Sequence, residues 1–231
     1  MRPWLASSTL ALATALSLSP AGARNRWVVF PQQPEQLPAV RYANLTAQQC
    51  LDELATRKLA AEAAPKRQTV DAPVLLPREL QGVRFEFAPR PEQRDVVDCR
   101  LLLALDDLAG IAAAQDVATV RYNSIYRNGW ARGRVQGHLG AVAIDIVELG
   151  RRDGQSLNVL RDFGGHGIGS ATCGAAAKPA APGKPTQMRQ FVCALDEARL
   201  FNLVLSPHYD WRHRNHFHLE VRRGVRWFLT N

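Results

Sequence analysis

Four of the six histidines fall within eleven residues, His208, His213, His216 and His218, in the run SPHYDWRHRNHFHLE. A fifth, His138, opens the segment HLGAVAID, and Asp145 follows it by seven positions. One imidazole with a nearby carboxylate, joined from far along the chain by a His-x-His pair, supplies what a single zinc ion needs with one coordination position left open. Two imidazoles and one carboxylate leave such a centre positively charged. It then lowers the pKa of a water toward neutrality and polarises a carbonyl. The chemistry implied is hydrolysis.

Two strands must carry these groups. Residues 141–149 alternate, placing Ala141, Ala143 and Asp145 on one face and Val142, Ile144 and Ile146 on the other. Residues 215–222 read as a closing strand, from which His216 and His218 project together while Phe217 and Leu219 enter the core. Asp145 faces the pair if the two strands are neighbours, and His138 at the strand entrance completes two imidazoles and one carboxylate. One histidine of the pair then stays free.

The remaining elements frame that site. Residues 117–122 read as a strand followed by a turn at Arg127-Asn128-Gly129, and Arg151-Arg152-Asp153-Gly154 turns into a strand over 156–160. The Gly-, Ala- and Pro-rich stretch 164–183 predicts a loop, 188–200 a helix and 201–205 a strand. Upstream, residues 24–45 read as an extended arm, and Thr46 caps a helix through about Ala64 that Pro65 ends. Residues 83–87 alternate like a strand, and 101–114 form a buried helix capped by Asp98. The pattern predicts an α+β fold with a small antiparallel sheet carrying the zinc site and helices packed on one side. The expected organisation is a leader over 1–23, an arm with a helical and irregular segment over 24–98, and the site-bearing domain over 99–231.

The leader reading rests on Arg2, the apolar stretch 4–18 and the small-residue signal Ala21-Gly22-Ala23, with cleavage after Ala23. The stretch is short for a membrane span and no second one follows, so no stable membrane insertion is expected. Export to the periplasm or medium explains the cysteines, Cys50, Cys99, Cys173 and Cys193. An even number in an exported chain predicts two disulfides with three pairings open. Their order favours Cys50–Cys99 and Cys173–Cys193, since each pair closes a moderate loop. None forms a Cys-x-x-Cys, which argues against a cysteine zinc site. A formal charge of +8 and a pI near 9.9 suit an anionic polymer such as the bacterial cell wall. No basic run reaches five residues and no nucleic-acid motif is present, so nucleic acid is not expected as a partner.

At HLGAVAID and HFH the chain resembles the lysostaphin, D-Ala-D-Ala peptidase and hedgehog superfamily. Within it, the chain is most similar to the extensin-like C-terminal domain family, whose closing motif typically reads YHRDHFHLD against WRHRNHFHLE here. The likeness runs from about Cys99 to Val221. It implies zinc held by His138, Asp145 and His218, with His216 beside the metal handling protons and His213 orienting water or substrate. Three positions depart from the pattern. Asn215 stands where the carboxypeptidase branch carries Glu, so histidine must serve as base. Gln136 replaces a Ser two before the first ligand, and Ser124-Ile125-Tyr126-Arg127-Asn128 lacks the cysteine of a Ser-Tyr-x-Cys-Arg-like element.

Arg127 is the candidate to grip a substrate carboxylate. His208, after Pro207, and His166, in the glycine loop, read as surface residues. Gly164-Gly165-His166-Gly167 lacks the Lys-Ser/Thr of a phosphate loop. Asp210 reads as a turn former, and Tyr126, Trp130 and Trp211 as groove-lining or packing aromatics. These readings together imply an exported zinc peptidase acting on peptidoglycan stems or cross-links. A non-catalytic, zinc-stabilised wall-binding module is the alternative.

Overall fold

Residues 27–129 and 136–231 are described in a computed structural model. The expected leader, its cleavage point after Ala23 and Trp130 lie outside the described residues. The fold is mixed α+β, built on a nine-stranded sheet with a second sheet of three strands.

Within the expected extended arm over 24–45, the described residues carry more order than that reading gave them. Strand β1 (Val28–Val29) is followed by helix α1 (Pro38–Asn44), with Pro38 in its first turn. That position needs no backbone N–H, and Ala39, Val40, Tyr42 and Ala43 give the helix a buried face. Helix α2 (Ala47–Thr56) opens with a capping box between Thr46 and Gln49. It stops well before the expected Ala64. Lys58 adopts a left-handed backbone (φ 57°), its N–H bonds to the Ala55 carbonyl, and the Leu59 N–H reaches the Leu54 carbonyl. This closure lets Leu59 pack on the core from outside the helix, so the apolar spacing ran past the true end.

Short strands β2 (Glu62–Ala63), β3 (Pro73–Leu75) and β6 (Val96–Asp98) form the smaller sheet. Between the last two lie β4 (Glu79–Leu80) and β5 (Val83–Phe87), which join the larger one. Helix α3 (Cys99–Ala114) follows directly, with the Asp98 carboxylate accepting from the Arg100 N–H. Leu101, Leu102, Leu103, Leu105 and Leu108 are wholly buried, each contributing about 1.5–3 kcal/mol relative to exposure.

The site-bearing half comprises β7 (Val117–Ser124), β8 (Ala143–Arg151), β9 (Ser156–Asn158), α4 (Val159–Asp162), α5 (Lys184–Glu197), β10 (Leu203–Leu205), β11 (Phe217–Glu220) and β12 (Phe228–Thr230). The expected strand over 156–160 is cut short because the Asn158 side chain caps a helical turn through the Arg161 N–H. Helix α5 begins earlier than expected, after Gly183, and ends where Arg199 turns left-handed.

Strand order in the larger sheet is β1-β12-β10-β11-β8-β7-β5-β4, with β9 beside β8. The small antiparallel sheet of the sequence reading is therefore corrected twice. The sheet is large, and it is mixed, because β5 runs parallel to β7 and β10 parallel to β12. Phe217 and Leu219 alternate into the main core with Leu101–Leu108 of α3 and with Phe191 and Leu195 of α5. Asp145 and His218 occupy the intervening positions, on the other face.

A boundary before Cys99 does not interrupt the packing. β5 pairs with β7 across it, α1 and α2 contact α3, and Cys50 is bonded to Cys99. The second disulfide joins Cys173 to Cys193 and ties the 164–183 loop to α5. Two disulfides fit an oxidising compartment such as the periplasm or extracellular space. Among the described residues no helix is long and apolar enough to cross a membrane.

Candidate metal centre

Register between adjacent strands assembles the site. Asp145 of β8 lies directly opposite His218 of β11 and, on its other side, opposite Ser124 of β7. His138 arrives from a 3-10 turn over Gly137–Gly140 that leads into β8, in which Gly137 takes a left-handed φ of 58°. The ligand-capable atoms of His138, Asp145 and His218 all lie within 4.8 Å of one another.

The donor set fits a divalent ion of zinc's type. His138 Nε2 and His218 Nδ1 converge on Asp145 Oδ1, at 3.1 and 2.9 Å. The other nitrogen of each ring faces an acceptor. His138 Nδ1 donates to the Ile125 carbonyl at 2.9 Å, and His218 Nε2 lies 3.4 Å from Glu220 Oε2. Each ring is thus oriented by an outer partner, with one nitrogen directed inward. Arg127 approaches the same carboxylate, its Nη2 donating to Asp145 Oδ2 at 2.6 Å and its Nε to Ser124 Oγ at 2.8 Å. Its side chain is 58% exposed.

Without a metal, the protons distribute by electrostatics. Burial alone would raise the Asp145 carboxyl, but hydrogen bonds and charge from the histidines outweigh it and hold the group well below the usual carboxylate range. Burial disfavours charge on His218 too, yet the hydrogen bonds to Asp145 and Glu220 carry it up to about 9. His216 goes the other way. Burial, reinforced by the neighbouring imidazoles and opposed by Asp145, brings it down to about 4.

His216 and His213 stand beside this group of candidate ligands. His216 Nε2 lies 3.5 Å from Asp145 Oδ1, and its Nδ1 donates to Asn215 Oδ1 at 2.9 Å. His213 packs its ring 5.1 Å from that of His216 and 5.7 Å from that of His218. Asp210 does more than form a turn. Its Oδ1 accepts from the Arg212 and His213 backbone N–H groups and from His213 Nδ1, the last at 2.7 Å. Trp211, in the same turn, is 68% exposed and carries the Arg214 guanidinium on its ring. Tyr126 is half-buried against the main core.

His208 is not the surface residue its position after Pro207 predicted, since it is fully buried. Its Nε2 accepts the His166 N–H at 2.8 Å and its Nδ1 lies 3.2 Å from Thr172 Oγ1. The ring moors the glycine-rich loop, and a Cβ at Gly165 would come within 2.7 Å of it. Burial, with the Arg189 and His166 charges, lowers His208 to about 4, so it is held neutral. His166 is exposed as expected.

The sequence reading missed Glu220. It is 4% exposed, its Oε1 accepts the Gly137 N–H at 3.2 Å, and its other oxygen faces His218. An acidic residue two positions after a strand histidine shares its face, and that spacing was the signal available.

No curated protein and no solved structure matches the chain. The family described as extensin-like protein C-terminus matches residues 48–229, reaching well upstream of the likeness read from Cys99 onward. With most of its length covered by that match, the chain belongs to the extensin-like C-terminal family.

Proposed function

We propose that this protein is an exported zinc-dependent peptidase that hydrolyses peptide bonds in peptidoglycan stems or cross-links. The observation that carries the reading is the convergence of His138, Asp145 and His218 on one point, with two further histidines alongside that the ligand set does not use. His138, Asp145 and His218 would hold the ion. When bound, zinc supplies Lewis acidity toward a scissile carbonyl and toward water.

The remaining steps belong to the side chains. His216 donates its Nδ1–H to Asn215, which leaves Nε2 as the proton acceptor. It takes a proton from the attacking water and returns it to the leaving amine nitrogen as the peptide C–N bond breaks. His213, oriented through Nδ1 by Asp210, positions water or substrate through its outward Nε2. Arg127 offers a half-exposed positive charge to a stem-peptide carboxylate while bracing Asp145. The basic surface draws the protein to an anionic wall polymer.

Asn215, in a place where the carboxypeptidase branch carries a carboxylate, favours a second reading: a wall-binding module stabilised by zinc and lacking turnover. Digestion of purified peptidoglycan by the zinc-loaded protein, with fragments identified by mass spectrometry, separates the two. Wild type should release peptides. His216→Ala should keep one zinc and lose at least about a hundredfold in rate, whereas His138→Ala, Asp145→Ala and His218→Ala should lose the metal. A folded, zinc-bearing wild type that releases nothing supports the binding module. Full activity in His218→Ala removes the ligand scheme itself.

A further inference from the structure

We infer that Glu220 is the positioning residue of this site, a single buried carboxylate that aligns both ligand-bearing elements at once. The inference rests on the reading of His138, Asp145 and His218 as metal ligands and assigns the part that reading left empty. Glu220 Oε2 faces His218 Nε2 at 3.4 Å, and Oε1 takes the Gly137 N–H at 3.2 Å. The first contact fixes which way the His218 ring turns, so that Nδ1 is the nitrogen presented to Asp145. The second holds the left-handed residue that starts the turn bearing His138. Glu220 also pairs with Ala143 in the strand register, two residues along from the Asp145–His218 pair and on the same face. Strand pairing therefore fixes its backbone beside the ligands while its side chain spans the two elements. Glu220 is 4% exposed, and Arg222 Nε lies 4.0 Å from its Oε1 at the rim. A second buried negative charge beside Asp145 also balances a divalent ion, which one carboxylate ligand leaves half neutralised.

Glu220→Gln preserves the shape but has one acceptor oxygen for two donors, so it cannot satisfy both His218 and Gly137. Zinc affinity, measured by competition with a chromophoric chelator, should weaken about 10- to 100-fold in Glu220→Gln and in Glu220→Ala. The values are taken on protein shown by circular dichroism to be folded without metal. Zinc-loaded wild type provides a readout that purely structural bracing does not move. In its imidazole 15N spectrum, His218 should carry its proton on Nε2 and be metallated at Nδ1. Wild-type zinc affinity in both variants overturns the inference, as does a wild-type spectrum with His218 protonated at Nδ1. A wild-type protein that binds no zinc overturns the ligand reading and this inference together, which distinguishes that failure from the first two.

Discussion

On the proposed zinc reading, protons and metal compete for the same nitrogen at His218. Its folded value of about 9 lies above the ordinary 6.5, so in the metal-free protein it contributes stability that is fully present below pH 6.5. That stability is lost as pH rises through about 9. Zinc must displace the proton on the nitrogen facing Asp145. Over pH 6.5–9 its affinity should therefore rise by about tenfold per unit, with close to one proton released per ion bound. Calorimetry in buffers of different ionisation enthalpy counts that proton. A pH-independent affinity across the window would remove His218 from the ligand set. The grouping of His138, Asp145 and His218 was readable because strand alternation and His/Asp spacing are local patterns. His208 was not readable, because its burial is imposed by a loop folding back over it. Thr172 and His166, which meet its two ring nitrogens, are 36 and 42 residues away.

At the scale of elements, α3 is anchored by a charge pair. Asp98 caps the helix, accepts from the Ala72 N–H and pairs with Arg100, and both side chains are almost wholly buried. Asp98→Ala would strand a buried guanidinium, with an expected loss of about 3–5 kcal/mol. Urea unfolding with an unchanged slope measures it, and a loss below about 1 kcal/mol would show that the Leu45 carbonyl and the Asp71 carboxylate together suffice for Arg100. Asp98 as a cap was legible from its place before an apolar run. Its partnership with Ala72 was not, since strand pairing between β3 and β6 sets it. The end of α2 was misplaced for a related reason. Leu59 continues the apolar spacing, but it does so after the left-handed turn at Lys58, and helical periodicity cannot distinguish the two.

Across the whole molecule, the α+β class followed from elements that sequence patterns mark one at a time. The mixed character of the sheet did not. The parallel pairs β5–β7 and β10–β12 join strands separated by other elements, and no local signal records such a neighbour. Net charge is likewise a property of the entire chain, and at +8 it predicts salt-sensitive adhesion to an anionic wall. Co-sedimentation with sacculi should fall severalfold between about 0.1 and 1 M salt, as the screening length shrinks from about 10 to 3 Å. Salt-independent adhesion would assign binding to specific contacts instead of the surface field. The Asp145–His218 pairing, finally, joins positions 73 residues apart. A chain still being threaded or unfolded holds no site at all, and ion capture must wait until β8 and β11 have met. On the proposed zinc reading, metal loading would be a late event that reports completed folding, and hydrolytic competence would wait until the sheet has closed.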